Sequence, residues 1–261
     1  MIDLHCHILP CIDDGSNSID LSIKMAKQAE REGVKKILAT PHHMDGEYIN
    51  HKKNVIRDVK NLQMIFWDNG IDIELRAGQE VHMNGDLLKS IDNDDVLFDD
   101  ISGVRYMMLE FPHFDIPEYS KDIIFQLKLR GITPIIVHPE RNTEFQKRPE
   151  KLYDFVSQGC LTQITATSYV GGFGKEIQKF SDKIVEAGLG FMFSSDAHNL
   201  EGRRFRMQEA FERLSKKMGD EFMHEYDSNA TRVWNGQKVE IGKIHHIKKD
   251  GKIKKILSAL F

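Results

Sequence analysis

The feature that most constrains the fold of this chain is a regular alternation of short apolar runs with longer segments of helical periodicity. Such an alternation is typical of successive βα units around a mainly parallel sheet. Seven strands are predicted, at residues 1–5, 36–40, 72–77, 106–110, 133–138, 161–165 and 190–195. Helices are predicted between them, at residues 19–31, 52–69, 120–129, 149–157, 175–187 and 203–217. The pattern therefore predicts an α/β fold, and we expect a seven-stranded βα barrel.

The length of 261 residues suits one domain, because barrels of this size commonly form a single unit and no Pro/Gly/Ser-rich linker interrupts the chain. We therefore predict a single domain over residues 1–261. Near its end, residues 243–255 carry six lysines and one acid. This pattern predicts a basic C-terminal tail, approximately 243–261, outside the barrel. A solvated surface segment is the favoured interpretation, and docking near an anionic membrane or partner is the alternative.

Composition excludes several classes of protein. With 40% hydrophobic and 29% charged residues, the chain has the balance of a globular protein rather than a disordered one. It opens without the features of a secretory leader, and no apolar run approaches the ~18 residues of a membrane span. We therefore expect a cytoplasmic protein without membrane insertion. The net charge of −4 and the absence of a basic stripe near the motifs argue against nucleic acid as a partner.

The three cysteines are an odd number and form no CxxC pair, so a disulfide framework is not expected. A cysteine-dependent phosphatase would also need an arginine six positions after its nucleophile. The residues at those positions are Ile12, Asn17 and Ala166. A thiolate phosphate loop is therefore excluded.

Histidines and acids stand at the carboxyl ends of the predicted strands. They are His5, His7, His42, His43, Glu80, His82, Glu110, His138, Asp196 and His198. In a βα barrel the carboxyl rim is the active-site face, where residues remote in sequence meet. A single histidine pair at a strand end is more often a satisfied polar pair than a ligand set, but so many rim positions together predict a metal centre.

Residue spacing supports this prediction. His5 and His7 are two apart in an extended strand, so their imidazoles point the same way, and Asp196 and His198 repeat the pattern. Imidazole and carboxylate ligands without sulfur suit Mn²⁺, Fe or Zn²⁺. The candidates exceed what one ion needs, so we predict two or three ions, with Glu80 or Asp196 as the bridging carboxylate.

Two further acids are candidate ligands. The Asp13-Asp14-Gly15 segment lies close enough to the first strand for one carboxylate to reach the cluster, and Asp14 is favoured. An ordinary turn explains the same three residues equally well. Glu110 has apolar neighbours, and its burial would be costly unless it were paired or bound to a metal.

Two arginines are predicted to bind phosphate at this rim. Arg141 follows His138, and Arg203 lies five residues beyond His198, with Arg204 as a competitor for the same role. Guanidinium forks match phosphate oxygens, and a phosphoryl-transfer site needs such cations. Each arginine taken singly is more often an ordinary surface residue. The aromatic residues Phe114, Tyr169 and Phe173 could wall a pocket for an aromatic phosphoester, although local packing explains them as well.

Several of these motifs occur together, in order, in a known superfamily. They are the segments DLHCHILP (3–10), DDG (13–15), TPHH (40–43), GQE (78–80), HPER (138–141) and SDAHN (195–199). The set resembles the polymerase-and-histidinol-phosphatase (PHP) superfamily. Within it, the chain is most similar to the manganese-dependent protein-tyrosine phosphatases of capsule and exopolysaccharide loci in Gram-positive bacteria. The match extends to about residue 206, and the residues beyond about 230 add little.

The resemblance implies a distorted seven-stranded barrel and a trinuclear Mn²⁺ centre. The ligands that it implies are His5, His7, Asp14, His42, Glu80, Glu110, His138, Asp196 and His198. Arg141 and Arg203 match the phosphate-binding arginines of the family. The implied reaction is attack on phosphorus by a metal-activated hydroxide. The implied substrate is the phosphorylated, tyrosine-rich tail of a membrane-associated kinase that controls polysaccharide synthesis and would recruit the phosphatase to the inner face of the membrane.

Other functions remain open at this stage. The same cluster would serve another PHP phosphomonoesterase, such as a histidinol-phosphate phosphatase, because it acts on the phosphate group itself. A binding module without activity is disfavoured, since every ligand position is filled. The sequence assigns no role to His43, His82 or residues 44–50.

Overall fold

The computed structural model of the chain describes residues 1–98 and 103–248. The strands are β1 (Ile2–Cys6), β2 (Lys36–Ala39), β3 (His42–His43), β4 (Glu74–Ala77), β5 (Glu80–His82), β6 (Arg105–Glu110), β7 (Ile132–Val137), β8 (Leu161–Thr165) and β9 (Met192–Ser194). The helices are α1 (Ile19–Arg31), α2 (Lys52–Asp68), α3 (Leu87–Asp92), α4 (Ser120–Leu129), α5 (Thr143–Lys147), α6 (Glu150–Ser157), α7 (Ala166–Tyr169), α8 (Lys175–Glu186), α9 (Met207–Met218) and α10 (Asp220–Trp234). A 3₁₀ turn covers Pro139–Arg141. The fold is a single mixed α/β domain.

The strands form two parallel sheets, with the orders β1-β2-β4 and β3-β5-β6-β7-β8-β9. β7 reads ITPIIV, a nearly continuous apolar run typical of a parallel strand that is covered on both faces. The sheets meet where β1 ends. There Cys6 forms a parallel bridge with Ala197, and the His5 carbonyl accepts from the Asp196 N–H at 2.9 Å. Among the described residues the hydrogen bonding does not join the two sheets into one continuous closed barrel.

Two of the predicted strands are each followed in the structure by a separate short strand that the sequence did not predict. The second prediction, 36–40, corresponds to β2, and the chain then bends at Pro41 before β3. Proline has no N–H to donate to a ladder, which explains the break. The third prediction, 72–77, is followed by the separate strand β5, whose Glu80 N–H donates to the Pro41 carbonyl at 3.0 Å. Both breaks place the carboxyl ends of these strands inside the functional site.

Some predicted bounds hold and others do not. α1, α4 and β8 have the predicted bounds, and the start of α1 follows from the Ser18 hydroxyl, which caps the Leu21 N–H. The helix predicted to begin at Arg203 begins only at Met207. The reason is that the Arg203 carbonyl accepts from the His198 N–H at 2.8 Å, which holds residues 203–206 in a loop.

Helix α10, which carries the fully buried Trp234, has no counterpart among the predicted helices. The segment after it passes the end of α8, where the His245 N–H donates to the Ala187 carbonyl, and its His246 stacks on Tyr153 of α6 with 3.7 Å between ring centroids. Residues 243–248 of the predicted basic tail therefore pack on the domain, with Ile247 buried. The remainder of that prediction, 249–261, lies outside the described residues. In the part of the chain that the structure describes, no helix is both long and apolar enough to cross a membrane.

Candidate metal centre

The nine ligands that the resemblance implies meet at the carboxyl ends of the strands. All nine candidate ligands occur in four overlapping groups, and within each group the candidate ligand atoms lie within 4.8 Å of one another. The groups are His7, Asp14, His42 and His198; His5, Glu80 and His138; His5, His7 and Asp196; and His42, Glu80 and Glu110. The convergence expected from the sequence is therefore present.

The centre of the cluster is built on β1. The Nε2 atoms of His5 and His7 lie 3.2 Å apart, and they lie 3.3 and 3.2 Å from Glu80 Oε2. The same two nitrogens lie 3.6 and 3.5 Å from Asp196 Oδ1. Two imidazoles and two carboxylates thus direct one atom each toward a common region.

Glu80 connects this region to a second one. Its Oε1 lies 2.7 Å from His138 Nε2, and its Oε2 lies 3.0 Å from His42 Nδ1. Glu110 lies at the edge of the second region, with carboxylate oxygens 3.7 Å from His138 and 3.9 Å from His42. The two oxygens of Glu80 therefore face different sets of histidines.

Asp14 forms the open side of the cluster. Its Oδ1 lies 3.1 Å from His198 Nε2 and 3.4 Å from His42 Nε2, and its side chain is 43% exposed. The His198 ring also stacks on His7, with 3.8 Å between ring centroids. Since the other carboxylates of the cluster are buried, a ligand from solvent would enter on the Asp14 side.

The donor atoms fit a divalent metal. A four-coordinate ion bound at about 2.1 Å separates neighbouring ligand atoms by about 3.4 Å, close to the separations between His5, His7 and their carboxylate neighbours. In addition, the buried atoms Glu80 Oε2, His42 Nδ1 and His198 Nε2 lie close to other candidate ligand atoms but not in the geometry of a hydrogen bond. Buried polar atoms without partners are costly, and coordination to a metal would satisfy all three.

Charges in the cluster hold the carboxylates ionised. Burial alone would raise the pKa of Glu80, but the charges of His5 and His42 lower it well below its usual range. Burial opposes ionisation of Asp196 in the same way, and the Arg203 and Arg141 guanidinium groups reverse the effect on its pKa. An ionised carboxylate is the form that binds a metal.

Both predicted arginines lie at the cluster. Arg203 Nη2 donates to Asp196 Oδ1 and Oδ2 at 3.1 and 3.0 Å, and its Nη1 donates to Asp14 Oδ2 at 3.2 Å. Arg141 Nη1 donates to Asp196 Oδ2. The competitor Arg204 instead pairs with Glu209 on α9, so the structure brings Arg203 and not Arg204 to this site.

Backbone strain is concentrated at the centre. His138 and Asp196 have φ angles of 32° and 50°, in the left-handed region that residues other than glycine rarely adopt. His138 directly follows β7, and Asp196 lies two residues beyond the end of β9. Both strands belong to the six-stranded sheet. Such strain persists only where the surrounding structure enforces it, and it is frequent at functional sites.

A close approach of backbone segments requires glycine at position 15. A Cβ atom there would lie 2.3 Å from the His7 carbonyl oxygen and 2.5 Å from His7 Cβ. The Ser16 N–H donates to that same carbonyl at 3.1 Å, which draws the loop against β1. The loop places Asp13 and Asp14 over the cluster.

The residues that the sequence left without a role have different environments. His82 Nδ1 lies 3.0 Å from Glu110 Oε2, so it can orient that carboxylate. His43 is buried away from the cluster and lines a separate cavity of about 270 Å³ with His51 and Asp95. In residues 44–50, Tyr48 lies with its ring 6.2 Å from that of His42.

One part of the aromatic-wall hypothesis is wrong. Tyr169 is fully buried, and it packs on Phe193 and under the Arg213 guanidinium. It therefore cannot line the site. The centre of the Phe173 ring lies 5.5 Å from the guanidinium carbon of Arg141. Phe114 is 78% exposed and its ring contacts that of His113.

Two residues without a predicted supporting role contact the rings of candidate ligands. Asp13 Oδ2 lies 2.8 Å from His7 Nδ1, and Gln163 Oε1 lies 2.9 Å from His5 Nδ1. The first was open only as the alternative to Asp14 for a carboxylate that reaches the cluster. The second carries no sequence signal, because a single glutamine in an apolar strand has no motif.

Comparison with known families agrees with this geometry. Residues 1–235 match the family model for capsular polysaccharide synthesis, CpsB/CapC. This chain belongs to the CpsB/CapC family. The match begins with the His5–His7 strand and includes all nine candidate ligands and both arginines.

Several curated proteins are similar to the chain over most of their length. The tyrosine-protein phosphatase YwqE of Bacillus subtilis is 37% identical over 239 residues, which cover 92% of this chain and 93% of YwqE. CapC of Staphylococcus aureus is 34% identical over 242 residues, with coverage of 92% and 93%. The tyrosine-protein phosphatase CpsB of Streptococcus pneumoniae is 26% identical over 224 residues, with coverage of 84% and 91%. The resemblance to tyrosine phosphatases of capsule loci is thereby confirmed.

Solved structures extend the comparison. Crystal structures of YwqE and of pneumococcal CpsB describe these proteins as unique metal-dependent tyrosine phosphatases. One chain from that work superposes on this protein with a TM-score of 0.90 at 36% identity. The similarity covers 95% of this chain and all of that one. A β-aspartyl dipeptidase of Fervidobacterium islandicum has a TM-score of 0.52 at 16% identity, with coverage of 94% and 76%, which reflects the fold alone.

Proposed function

We propose that this chain is a metal-dependent protein-tyrosine phosphatase that acts on a cognate bacterial tyrosine kinase and thereby regulates capsular polysaccharide synthesis. The observation that carries the proposal is the convergence of nine metal-binding side chains beside two arginines in a CpsB/CapC family member. Relatives with 37% and 26% identity are named tyrosine-protein phosphatases. Metal ligands beside guanidinium groups suit phosphoryl transfer, because the charge on the phosphoryl oxygens must be neutralised by positioned cations.

The ligands would be His5, His7, Asp14, His42, Glu80, Glu110, His138, Asp196 and His198. We infer two or three Mn²⁺ ions, since four overlapping groups exceed one coordination sphere. Glu80 is the better bridging carboxylate, because its two oxygens face different histidines. One oxygen of Asp196 is instead occupied by both arginines.

Bound divalent ions would supply a lowered water pKa and positive charge for an in-line displacement at phosphorus. The chain's own residues would do the rest. Arg141 and Arg203 would turn their guanidinium forks from Asp196 to the phosphoryl oxygens and neutralise the charge that develops there. Asp14, on the open side, would lie where the phosphate enters.

The finer features of the fold belong to the same proposal. The seven strand positions, counting β2 with β3 and β4 with β5, would form a distorted PHP-type barrel closed at the Cys6–Ala197 bridge. A crystal structure with continuous hydrogen bonding between β1 and β9 would test this.

The proposed partner is the phosphorylated, tyrosine-rich tail of a membrane-associated kinase. The proposed location is the cytoplasm, with recruitment to the inner face of the membrane by that kinase. Support comes from the role of the family in capsular polysaccharide synthesis. Fractionation of cells with and without the kinase would test the location.

The activity is tested with metal-stripped protein and a phosphotyrosine peptide. Phosphate release should return on addition of Mn²⁺ and should be lost in the His138→Ala and Arg141→Ala variants. Matched controls are His224→Ala and Arg148→Ala, which remove exposed residues of the same types. Metal analysis of the reconstituted protein gives the number of ions. Faster turnover of histidinol phosphate than of the peptide would favour another phosphomonoesterase, and no turnover of either by folded, metal-loaded protein would overturn the proposal.

A further inference from the structure

A carboxylate that is not among the nine candidate ligands contacts the His7 imidazole on the side of the ring opposite to the cluster. His7 Nδ1 lies 2.8 Å from Asp13 Oδ2, while its Nε2 faces His5, Glu80 and Asp196. An ionised carboxylate can only accept, so the proton in this contact belongs to Nδ1 of His7. In the neutral ring the lone pair is then on Nε2, on the side of the metal centre.

A second residue stands in the same relation to His5. Gln163 Oε1 lies 2.9 Å from His5 Nδ1, and both side chains are buried. With the oxygen as acceptor, the proton of His5 is on Nδ1 and its Nε2 lone pair faces the centre. The reversed amide would place a proton on His5 Nε2, directed at His7 Nε2 only 3.2 Å away, and would prevent coordination.

We propose that Asp13 and Gln163 are positioning residues that fix the Nδ1–H tautomers of His7 and His5, so that both Nε2 atoms bind the same metal ion. This inference rests on the proposed metal centre and adds two residues to it. Histidine ligands commonly donate their second N–H to a carboxylate or carbonyl, which fixes ring orientation and raises ligand basicity. His5 lies on β1 and His7 directly follows it, so the two imidazoles leave one segment of chain two residues apart and each needs its own orienting contact.

Asp13 also has a backbone role that the experiment must separate from the proposed one. Its Oδ1 accepts from the Gly15 N–H at 3.0 Å, and its Oδ2 accepts from the His42 N–H at 3.2 Å. Asp13→Asn keeps one acceptor oxygen, which can still accept from the Gly15 N–H, and it replaces the oxygen that faces His7 with an NH2 donor. Asp13→Ala removes both oxygens, so the two variants compared distinguish orientation of the His7 ring from folding of the loop.

Gln163 offers a matched pair of its own. Gln163→Leu keeps the size of the side chain and removes the acceptor, whereas Gln163→Glu keeps an acceptor beside His5 Nδ1. Asp72→Asn is the general control, because Asp72 is exposed and pairs with Lys35 at the far end of the sheet. All variants are first checked for the thermal unfolding temperature of the metal-free protein.

The measurements are the Mn²⁺ dissociation constant of the full chain and the histidine N–H signals of its Zn²⁺-loaded form, since Zn²⁺ is diamagnetic. We expect Asp13→Ala and Gln163→Leu to bind Mn²⁺ about 10–100-fold more weakly, as for loss of other outer hydrogen bonds to metal ligands. Asp13→Asn should fall between Asp13→Ala and the parent. Gln163→Glu should restore the affinity that Gln163→Leu loses, and Asp72→Asn should bind as the parent does.

In the nitrogen-15 spectrum of the Zn²⁺ form, the parent should give exchange-protected Nδ1–H signals from His5 and His7, and each should disappear in the corresponding variant. Unchanged affinity in both Asp13 variants and in Gln163→Leu would overturn the inference while leaving the phosphatase proposal intact. Loss of a whole ion in Asp13→Asn, with the His7 Nδ1–H signal retained, would also overturn it by making Asp13 a direct ligand. A parent protein that binds no Mn²⁺ would overturn both proposals.

Discussion

Two carboxylates in this molecule are each held between two cationic side chains, and their surroundings differ. Asp196 is buried, contacts Arg141 and Arg203, and also lies near three histidines of the metal centre. Asp182 lies on α8 near the surface, contacts Arg213 at 2.7 and 2.9 Å, and also pairs with Lys217. Each region therefore combines one carboxylate with two cationic side chains.

The difference lies in what else each carboxylate faces. Asp182 pairs with Arg213 and Lys217 between α8 and α9, and among the described residues it belongs to no candidate metal-binding group. At Asp196, the Nε2 atoms of His5 and His7 lie 3.6 and 3.5 Å from Oδ1, and the three residues form one candidate metal-binding group. The metal-binding side chains beside a carboxylate, rather than the cations that pair with it, thus distinguish the functional network from the structural one.

The largest effect is expected when one carboxylate oxygen is replaced by an amide nitrogen, at Asp196 or at Asp182. Asp196→Asn should lower kcat/KM for a phosphotyrosine peptide by about 10³-fold or more, because a metal ligand and the anchor of both arginines are weakened together. Asp182→Asn should leave kcat/KM unchanged. Steady-state kinetics at saturating Mn²⁺ measures both. Equal losses in the two variants would remove the distinction between the regions.

The next test separates two neighbouring arginines. Arg203→Ala should lower kcat by about 10²–10³-fold, the usual cost of losing one preorganised donor to a developing charge. Arg204→Ala should have little effect, since Arg204 pairs with Glu209. The comparison needs only initial rates with the same peptide. A larger loss in Arg204→Ala would show that the competitor is the phosphate-binding residue.

Metal binding should also stabilise the folded protein, through the region of Asp196 and not through the ion pairs of Asp182. Mn²⁺ at 100 times its dissociation constant should raise the free energy of unfolding by about 2.7 kcal/mol for each site that is lost on unfolding. Urea unfolding with Mn²⁺ and with chelator measures the difference. The same increment should be found in Asp182→Asn and should be smaller in Asp196→Asn. An increment that is absent in the parent would contradict a metal centre.

The smallest effect is expected for the ion pairs of Asp182 between α8 and α9. Burial would raise the pKa of Asp182, but hydrogen bonds from Arg213 and Lys217 lower it below its usual 3.8. A lowered folded pKa contributes stability above pH 3.8 that is lost as the pH falls through the folded value. Because solvent screens this pair, Asp182→Asn should cost only about 0.5–1 kcal/mol at neutral pH.

Urea unfolding at pH 7, 5 and 4 checks this prediction. The stability difference between the parent and Asp182→Asn should be the same at pH 7 and pH 5 and should begin to shrink only near pH 4. A difference that disappears between pH 7 and pH 5 would assign the effect to another group.

The candidate ligands could be predicted because their signal is local. His5 and His7, or Asp196 and His198, have a spacing that already places both side chains on one side of an extended segment. The rule that parallel strands end at one rim then brings the pairs together without knowledge of any contact. The bounds of α1 and α4 were predictable for a similar reason, since helical periodicity, and for α1 the Ser18 cap, lies within a few residues.

Other residues could not be predicted from local pattern. Arg203 and Arg204 are adjacent and chemically identical, and only the loop tied to His198 directs the first toward Asp196. Tyr169 lies in the same predicted region as Phe173 but is buried against Phe193, because α7 forms there directly after β8. Which side chain of a neighbouring pair reaches a site depends on backbone angles that residue type does not specify.

The sequence by itself determined the α/β alternation, the parallel strands and the histidine and acid set at their carboxyl ends, because periodicity and residue chemistry are properties of short segments. The tertiary structure alone decided that Asp13 supports His7 and that Gln163 supports His5, across 6 and 158 residues. It also decided that Glu80 presents its two oxygens to different histidines. These are contacts between segments, and their geometry depends on how the strands pack and where β2 and β4 are interrupted.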